Sequence, residues 1–348
     1  MANEMNPGEG ISLRDLQTAH KEGTIERTVI DAIHNHDQLL SDVKWYAASH
    51  DDRDEADLMT GKPKAHHKMM GEGMVPSGAS FQTKSVSGAN AYAMLDILED
   101  QYKVQQRRGT LDHWLNRQVK AQIASLAELQ MMDILYGDRK ADPKGINGIA
   151  SFYNKIGSIY GSDLLYSTRT VDAGVSSTAT DLRSIFVITF GEDKIKPFYP
   201  KGAENIGLNF GDKMERVQMT DPKNGGVVWH LQRTFQWDGG IHIVDPRCAG
   251  RLCNIPLAEL NTTDGAFKNK FLPALRRLTD AVKRDTENKP AMYMDPKLAT
   301  EIKIGLDALT MANAFEEKQV ANEYKLKLFD VEVRLNESQG LNETRVTA

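Results

Sequence analysis

The sequence predicts an α+β fold of about two domains, and three observations support this prediction. Between Gly109 and Gly137, apolar residues recur every three or four positions, which is typical of one long amphipathic helix. The middle third contains short apolar runs and alternating patterns that are typical of strands. The last third alternates helical and strand patterns. A chain of 348 residues, 40% of them hydrophobic, is long enough for about two domains with well-buried cores.

The N-terminal segment is predicted to be mostly helical. Ser12 precedes a helical pattern and is followed three residues later by Asp15, which predicts an N-cap with a negative charge in the first turn. Thr24 can cap a second helix. That helix would place a row of apolar side chains on a single side: Ile25, Val29, Ile33, Leu40 and Val43. We therefore expect an N-terminal arm, residues 1–48, that lies on an apolar surface.

Residues 49–81 show no lasting period of two or of 3.6. The stretch contains four glycines, two prolines and many charged residues. Structureless connections of this length are uncommon inside compact domains and are usually functional or disordered. We predict a long extended loop that projects from the body.

The strongest helical pattern covers residues 110–136. Thr110 can cap this helix and Gly137 can end it. At 1.5 Å per residue the helix would be about 39 Å long, enough to form the backbone of a domain. Its apolar stripe consists of Leu111, Trp114, Leu115, Val119, Ile123, Leu126, Met131, Ile134 and Leu135.

Strands are predicted in the middle third. The apolar run from Ser184 to Phe190 is typical of a strand that is buried on both faces. Residues 227–237 place Trp229, Leu231, Phe235 and Trp237 on alternate positions. Gly239 and Gly240 then lead into a further predicted strand, residues 241–244.

The last third alternates helices and strands. A helix is predicted from Phe271, Leu275, Leu278 and Val282, and a strand from residues 291–294. Asp295 and Pro296 form a cap and first turn for a helix that carries Leu298, Ile302, Leu306 and Leu309. Two closing strands follow. Their alternation slips by one residue at Leu328–Phe329, which predicts a β-bulge or bend.

Composition excludes several classes of protein. Lys and Arg number 43 and Asp and Glu number 48, so the net charge of −5 lacks the basic footprint of a dedicated nucleic-acid binder. The N-terminus shows no signal peptide, and no apolar run approaches the roughly 18 residues of a membrane span. Two cysteines indicate a reducing compartment. We expect a soluble, cytoplasmic protein without a membrane partner.

Motifs for catalysis, metals and cofactors are absent. Gly71 and Gly73 open a glycine pattern, but Pro76 stands where the third glycine of a nucleotide loop belongs. His66 and His67 lack a carboxylate or thiol at ligand spacing, and His34 and His36 point to different helix faces. Cys248 and Cys253 are predicted to be buried structural thiols. The acidic run 51–57 is predicted to be solvated, because it lacks the glycine of a calcium loop. We expect no catalytic residue, cofactor or metal.

The segment from Ser184 to Ile255 resembles the major capsid proteins of tailed bacteriophages. The similarity lies in structural motifs that are spread along the segment: Phe190–Gly191, the turn Tyr199–Pro200–Lys201–Gly202, then Thr234, Trp237 and Gly240, Asp245 and Arg247, and Asn254–Ile255. Two flanks are also similar to that family, the stretch from Met131 to Ile149 and the terminal Glu343 to Val346. The projecting loop and the tail depart from the family's usual sequence, so the body is the better matched part.

The resemblance implies the Hong-Kong-97 type capsid fold. It assigns residues 1–48 to an N-terminal arm and residues 49–81 to the extended loop. Residues 82–181 would form the peripheral domain, with residues 110–136 as its spine helix. Residues 182–260 would be a β-rich segment shared between the peripheral and axial domains, and residues 261–348 the axial domain with the closing strands.

The function implied by the resemblance is that of a structural protein, not an enzyme. The chain would assemble with copies of itself, through hexamers and pentamers, into an icosahedral virion shell that encloses double-stranded DNA without sequence-specific binding. A portal would occupy one vertex, assembly would take place in the host bacterial cytoplasm, and a scaffold or decoration protein remains open. The extended loop would lie over a neighbouring subunit through Lys62, Lys64, Lys68, Met69 and Met70.

Two other readings of the sequence stay open at this point. An encapsulin-like compartment shell has the same fold but encloses cargo proteins. A soluble α/β enzyme could scatter its site residues beyond motif recognition. Megadalton hollow particles would favour a shell, and a saturable activity in a small oligomer would favour an enzyme.

Overall fold

A computed structural model describes most of the chain. The described residues are 10–20, 25–36, 38–61, 63–157, 169–176, 178–211, 213–221, 223, 225–261, 265–283, 289–309, 315–320, 323–339 and 342–347. Within this part of the chain, none of the helices combines the length and apolar character needed to cross a lipid bilayer.

Helices and strands alternate along the chain. The helices are α1 (Leu13–Ala19), α2 (Ile25–His36), α3 (Gln38–Asp42), α4 (Glu99–Arg108), α5 (Leu111–Tyr136), α6 (Ile149–Phe152), α7 (Leu272–Ala281) and α8 (Pro296–Ala308). The strands are β1 (Ile11–Ser12), β2 (Lys44–Ala47), β3 (Arg53–Gly61), β4 (Ser80–Ser87), β5 (Ala89–Leu98), β6 (Thr170–Asp172), β7 (Leu182–Ile188), β8 (Ile195–Tyr199), β9 (Leu208–Asn209), β10 (Glu215–Thr220), β11 (Val227–Ile243), β12 (Ala249–Pro256), β13 (Ala291–Met294), β14 (Phe315–Val320), β15 (Glu323–Leu328) and β16 (Val331–Leu335).

The N-terminal segment packs against the long helix α5. Ser12 and Asp15 form the predicted cap reciprocally, because the Ser12 hydroxyl accepts from the Asp15 N–H and the Asp15 carboxylate accepts from the Ser12 N–H. The apolar row is divided between α2 and α3, with Val43 directly after the end of α3, and Thr24 lies outside the described residues. Four buried residues of this row share one core cluster with α5: Val29, Ile33, Leu40 and Val43.

Helix α5 has nearly the predicted bounds, but its start differs in one detail. Thr110 occupies the N-cap position, yet its hydroxyl donates to Gln105 Oε1 (2.8 Å) and does not bond to the first turn of the helix. At the other end, the N–H of Gly137 donates to the Asp133 carbonyl. A Cβ at Gly137 would lie 2.6 Å from the carbonyl oxygens of Asp133 and Ile146, so only glycine fits this end of the helix.

The segment 49–81, which was predicted to be a long extended loop, contains regular strand pairing. Strand β3 pairs antiparallel with β4, from Arg53↔Ser87 to Gly61↔Ser80, and the two strands form a separate two-stranded sheet. We call β3, β4 and the turn region 62–79 between them the ribbon. Acidic residues lie on both faces of β3. The sequence therefore lacks the alternation of apolar and polar residues that would have predicted this strand.

Strand β11 is longer than predicted. It has 17 residues and continues through Gly239 and Gly240, which were predicted to lie between two separate strands. Glycine is needed here for close packing, because a Cβ at Gly240 would lie 2.5 Å from the Phe198 ring. Along its length β11 pairs with β10, β5, β9 and β8, and β2 and β1 complete this first seven-stranded sheet.

Strand β7 joins the two hydrophobic cores of the chain. It lies inside the second seven-stranded sheet, in the order β14-β15-β16-β13-β7-β12-β6, and all its residues are buried, as predicted. Phe186 and Ile188 belong to the core cluster around α5, whereas Ile185 and Val187 belong to the cluster under α7 and α8. Alternate side chains of one strand therefore connect the two cores.

The slip at Leu328–Phe329, where a β-bulge or bend was predicted, is a hairpin turn. Leu328 pairs with Val331, and the two residues between them, Phe329 and Asp330, have φ values of 50° and 65°. Positive φ at both central residues is typical of the type I′ turn, whose twist matches that of the two strands it joins.

Candidate functional site

The turn region of the ribbon exposes large apolar side chains. Met69, Met70, Met74 and Val75 are between 70% and 105% exposed. Exposed apolar patches on soluble proteins commonly mark interaction sites. Methionine is well suited to such a surface because its flexible thioether adapts to irregular partners.

The predicted contact residues share this surface, except that Lys62 lies outside the described residues. Lys64 and Lys68 are exposed, and neither ammonium group has an ion-pair partner within the described parts of the chain. Met69 and Met70 lie in a turn that Glu72 closes, since the Met69 N–H donates to Glu72 Oε2 (2.9 Å). The ribbon thus presents positive and apolar groups together.

A buried carboxylate anchors the ribbon at its root. Asp54, on β3, is fully buried and accepts hydrogen bonds from His242 Nδ1 at 2.8 Å and from Lys196 Nζ at 2.9 Å. The N–H and hydroxyl of Ser49 donate to the same carboxylate at 3.1 Å. His242 and Lys196 lie opposite each other on β11 and β8. Two strands of the body therefore hold the first strand of the ribbon.

The charges in this anchor determine the pKa of Asp54. Burial alone would raise it, but the hydrogen bonds and charges of His242 and Lys196 outweigh burial and lower the pKa to about 2. Asp54 is therefore ionised at neutral pH and forms a buried cluster with Lys196 and His242. This corrects the prediction that the whole run 51–57 is solvated.

Among the residues that carry the family resemblance, the turn at 200–203 and Trp237 have structural roles. The N–H of Ala203 donates to the Pro200 carbonyl at 3.1 Å, and Gly202 has a φ of 85°, so the segment 200–203 forms a tight turn with Lys201 exposed. Trp237 is buried against Trp45, with ring centroids 5.2 Å apart.

Asp245 and Arg247 form a local ion pair. The Arg247 guanidinium donates from Nε and from its terminal nitrogen to the Asp245 carboxylate at 2.9 and 2.8 Å, and the Arg247 N–H adds a third bond. Burial raises the pKa of Asp245, but these bonds outweigh it and the net pKa is lowered. The pair is half-buried, and Lys283 lies 3.7 Å from the same carboxylate.

Glu343 is the centre of a buried network that ties the C-terminal segment to the body. Tyr136 donates to its Oε1 at 2.7 Å, and Arg251 donates to its Oε2 at 2.7 Å. Ser184 donates to the same Oε2. Burial, followed by the charge of Glu343, raises the pKa of Tyr136 well above its usual value, so the phenol stays protonated as a donor.

Arg251, Tyr136 and Ser184 were not predicted as site residues. Arg251 also donates to the carbonyls of Ala150 and Tyr153, at 3.4 and 3.1 Å. A lone arginine in a strand gives no local signal for such a role, because its partners come from distant parts of the chain.

The described residues bear on metal binding and on thiol chemistry. They contain no group of three His, Cys, Asp or Glu side chains that could hold a metal ion. Cys248 and Cys253 are buried and unpaired, as predicted. Burial raises their pKa values to about 11 and about 12, so both are neutral thiols at pH 7.

Comparison with solved structures defines the fold. The chain is similar to a chain in the near-atomic structure of bacteriophage epsilon15, with 17% identity, 85% of each chain covered and a TM-score of 0.57. It is also similar to the capsid of bacteriophage JBD30, with 10% identity, 83% of this chain and 86% of the other covered, and a TM-score of 0.43. The likeness to the epsilon15 chain shows the fold, which is the predicted Hong-Kong-97 type capsid fold.

Comparison with family models defines the family. The model of the major capsid protein GP7 matches residues 20–347, and the chain belongs to this family. No curated protein sequence matches the chain. The chain is therefore a structural subunit of a virion shell, as the resemblance implied, and neither the compartment-shell reading nor the enzyme reading is favoured.

Proposed function

We propose that copies of this chain form hexamers and pentamers that close into an icosahedral shell around the double-stranded DNA of a tailed bacteriophage. The observation that supports this proposal most directly is the ribbon, which combines a separate two-stranded sheet, exposed methionines and a buried anchor. A surface of this kind has no use in an isolated subunit. It suits a protein whose partners are its own copies.

The ribbon lies over a neighbouring subunit in this proposal. Met69, Met70 and the nearby Met74 bury apolar area there, and Lys64 and Lys68 face acidic groups of the neighbour. Identical chains must fit both five-fold and six-fold rings. The flexible thioethers and the glycines at 71, 73 and 78 allow one surface to adapt to both.

The two hydrophobic cores support a division of the body into two domains. The core around α5 contains buried residues of the proposed peripheral domain, residues 82–181, with α5 as its spine helix, together with residues of the N-terminal arm. The core under α7 and α8 contains buried residues of the proposed axial domain, residues 261–348, together with Val171, Ala173 and Val175. Residues 182–260 contribute to both, since β7 has one face in each core.

Further partners follow from the same proposal. A portal occupies one vertex, and assembly takes place in the cytoplasm of the bacterial host. The arrangement is compatible with a scaffold or decoration protein, and the enclosed DNA is held by confinement and not by specific binding.

Replacing Met69, Met70 and Met74 together by serine is expected to abolish shell formation while leaving the subunit folded. The three side chains are exposed, so their loss removes contacts with a neighbour and leaves the core intact. Negative-stain electron microscopy and sedimentation measure the particles, and circular dichroism measures the fold. Deletion of residues 62–78 should have the same effect.

Val104→Ser and Ile304→Ser are matched controls, because these side chains are also exposed but lie on α4 and α8, outside the ribbon. Both controls should form normal shells. Normal shells of unchanged stability from the ribbon variants would show that the ribbon makes no assembly contact.

The unassembled subunit is expected to have negligible affinity for DNA at physiological salt. The net charge of −5 offers little gain from counterion release, which drives non-specific DNA binding. Fluorescence anisotropy with a labelled duplex, over a series of salt concentrations, measures this. A submicromolar complex that weakens steeply with salt would contradict the proposal that DNA is merely enclosed.

A further inference from the structure

The first seven-stranded sheet has one face that the body of the subunit leaves open. On β5, the alternate residues Ala91, Leu95 and Ile97 are buried in the core around α5. The residues between them point to the opposite side of the sheet, where Tyr92 and Met94 are 68% and 46% exposed. We call this side the open face. It consists of the even-numbered residues of 90–98 and 228–236 and the odd-numbered residues of 215–219, and none of them is buried.

Carboxylates adjoin the apolar residues of the open face. Asp96 and Glu215 flank Gln232 in one row across three strands, because Gln232 pairs with both. Asp96 lies two positions beyond Met94 on β5, a separation of about 7 Å. Its carboxylate lies 2.9 Å from His230 Nδ1, and Glu215 has no ion-pair partner among the described residues. Since no lysine or arginine stands at any position of the open face, the face is apolar and acidic.

The turn region of the ribbon carries the complementary arrangement. Lys68 directly precedes the exposed pair Met69–Met70, and Lys64 lies four residues before Lys68. The ribbon does not cover the open face of its own subunit, because the methionine pair and Tyr92 are exposed in the same molecule. Each subunit therefore presents an apolar and basic surface and, separately, an apolar and acidic one.

We propose that the open face of one subunit receives the turn region of the ribbon from a neighbouring copy. The inference rests on the proposed function, because it names the surface of the neighbour that the ribbon contacts. The ribbon methionines pack on Tyr92 and Met94, where a thioether gains a favourable contact with the tyrosine ring. The two ribbon lysines pair with Asp96 and Glu215, so that charge complementarity fixes the position of the contact.

The two surfaces of this contact are different, so the contact is heterologous. A heterologous contact repeats from copy to copy and closes into a ring when the rotation between copies permits it. Each subunit then gives its ribbon to one neighbour and receives a ribbon from the other.

The test exchanges the charges of the two surfaces. Lys64→Glu with Lys68→Glu changes the ribbon, and Asp96→Lys with Glu215→Lys changes the open face. Each double variant should raise the critical concentration for shell assembly by about tenfold or more, because like charges then meet. The protein with all four substitutions should assemble within about threefold of the wild-type concentration, since the attraction is restored with its signs exchanged.

Glu128→Lys with Asp307→Lys is the matched control for the open-face variant. Both carboxylates are exposed, and they lie on α5 and α8, outside the open face. The control changes the net charge by the same amount and should assemble as wild type does. If it impairs assembly as strongly as the open-face variant, net charge causes the effect and the proposal is wrong.

Cross-linking reads the contact directly and does not depend on the charge variants. A chain with both Met70→Cys and Met94→Cys should form a ladder of covalent oligomers when assembled shells are treated with a short bis-maleimide. Either substitution alone should give no ladder. Cys248 and Cys253 are buried, so they leave the background low. Shells of the double cysteine variant that yield no ladder would contradict the contact.

The outcomes separate this inference from the proposed function. Wild-type shells, together with an open-face variant that assembles at the wild-type concentration, overturn the contact alone. A fourfold variant that assembles less well than either double variant does the same. A wild-type protein that forms no particles overturns the proposed function, and the contact with it.

Discussion

Asp54→Asn is expected to lower the free energy of unfolding of the subunit by about 3–5 kcal/mol, the typical cost of leaving a buried charge without its partner. The variant keeps the shape of the side chain but removes its negative charge. The Lys196 ammonium, which donates to this carboxylate at 2.9 Å, then remains in a buried position without its counter-ion, and His242, at 2.8 Å, loses its carboxylate partner. Because the carboxylate joins β3 to the body, the ribbon should also lose its fixed direction.

Urea denaturation of the unassembled subunit measures the stability, and hydrogen exchange of the β3 and β4 amides measures the order of the ribbon. Asp57→Asn is the control, since Asp57 lies three residues further along the same strand but is exposed and bonds only to Thr83 in the described structure. Its effect should stay within about 0.5 kcal/mol. Equal stability of the two variants would show that the buried cluster does not hold the ribbon.

The same carboxylate makes stability depend on pH in a defined direction. The pKa of Asp54 is about 2 in the folded chain and 3.8 in its ordinary state, so the unfolded chain binds the proton more readily. This stabilisation is present above about pH 4 and is lost as the pH falls through about 2. The difference between wild type and Asp54→Asn should therefore shrink over this acid range.

Arg251→Met is expected to cost about 3–5 kcal/mol as well, for a similar reason. Glu343 and Arg251 are 7% and 6% exposed, so the variant leaves the Glu343 carboxylate buried without a positive charge. Methionine fills much of the arginine's volume, so packing is largely kept. The variant also removes the donor to the carbonyls of Ala150 and Tyr153, and the C-terminal segment should detach from the body first.

Arg247→Met is the matched control, because the Arg247 guanidinium is about one-third exposed and its ion pair with Asp245 is local. We expect a loss of no more than about 1 kcal/mol from this pair. Urea denaturation compares the two variants, and proteolysis near the C-terminus detects detachment of the tail. If Arg251→Met is no less stable than Arg247→Met, the Glu343 network does not secure the tail.

The regular elements of the fold were predictable where a local period was strong. Helix α5 follows from an apolar stripe repeated over seven turns, and β7 follows from a continuous apolar run. The turn at Phe329–Asp330 was missed because neither Asn nor Gly marks it, although both residues have a positive φ. The ribbon was missed as a pair of strands because its polar residues lie on both faces.

The anchor of the ribbon could not be predicted from local sequence. Asp54 lies 142 positions from Lys196 and 188 positions from His242, and only the tertiary fold brings them together. Glu343 was identified through the family resemblance, but its partner Tyr136 lies 207 positions away. The exposure of the methionines, in contrast, could be expected from the sequence, because their segment shows no period that would place apolar side chains against a core.

The most direct test of the central claim is electron microscopy of the purified full chain under conditions that favour assembly, such as high protein concentration. Self-association through the ribbon should produce hollow particles of megadalton mass and uniform curvature, built from rings of five and six subunits. A protein that remains a compact monomer at every concentration, salt and temperature tested would contradict the claim that its surfaces are made for copies of itself.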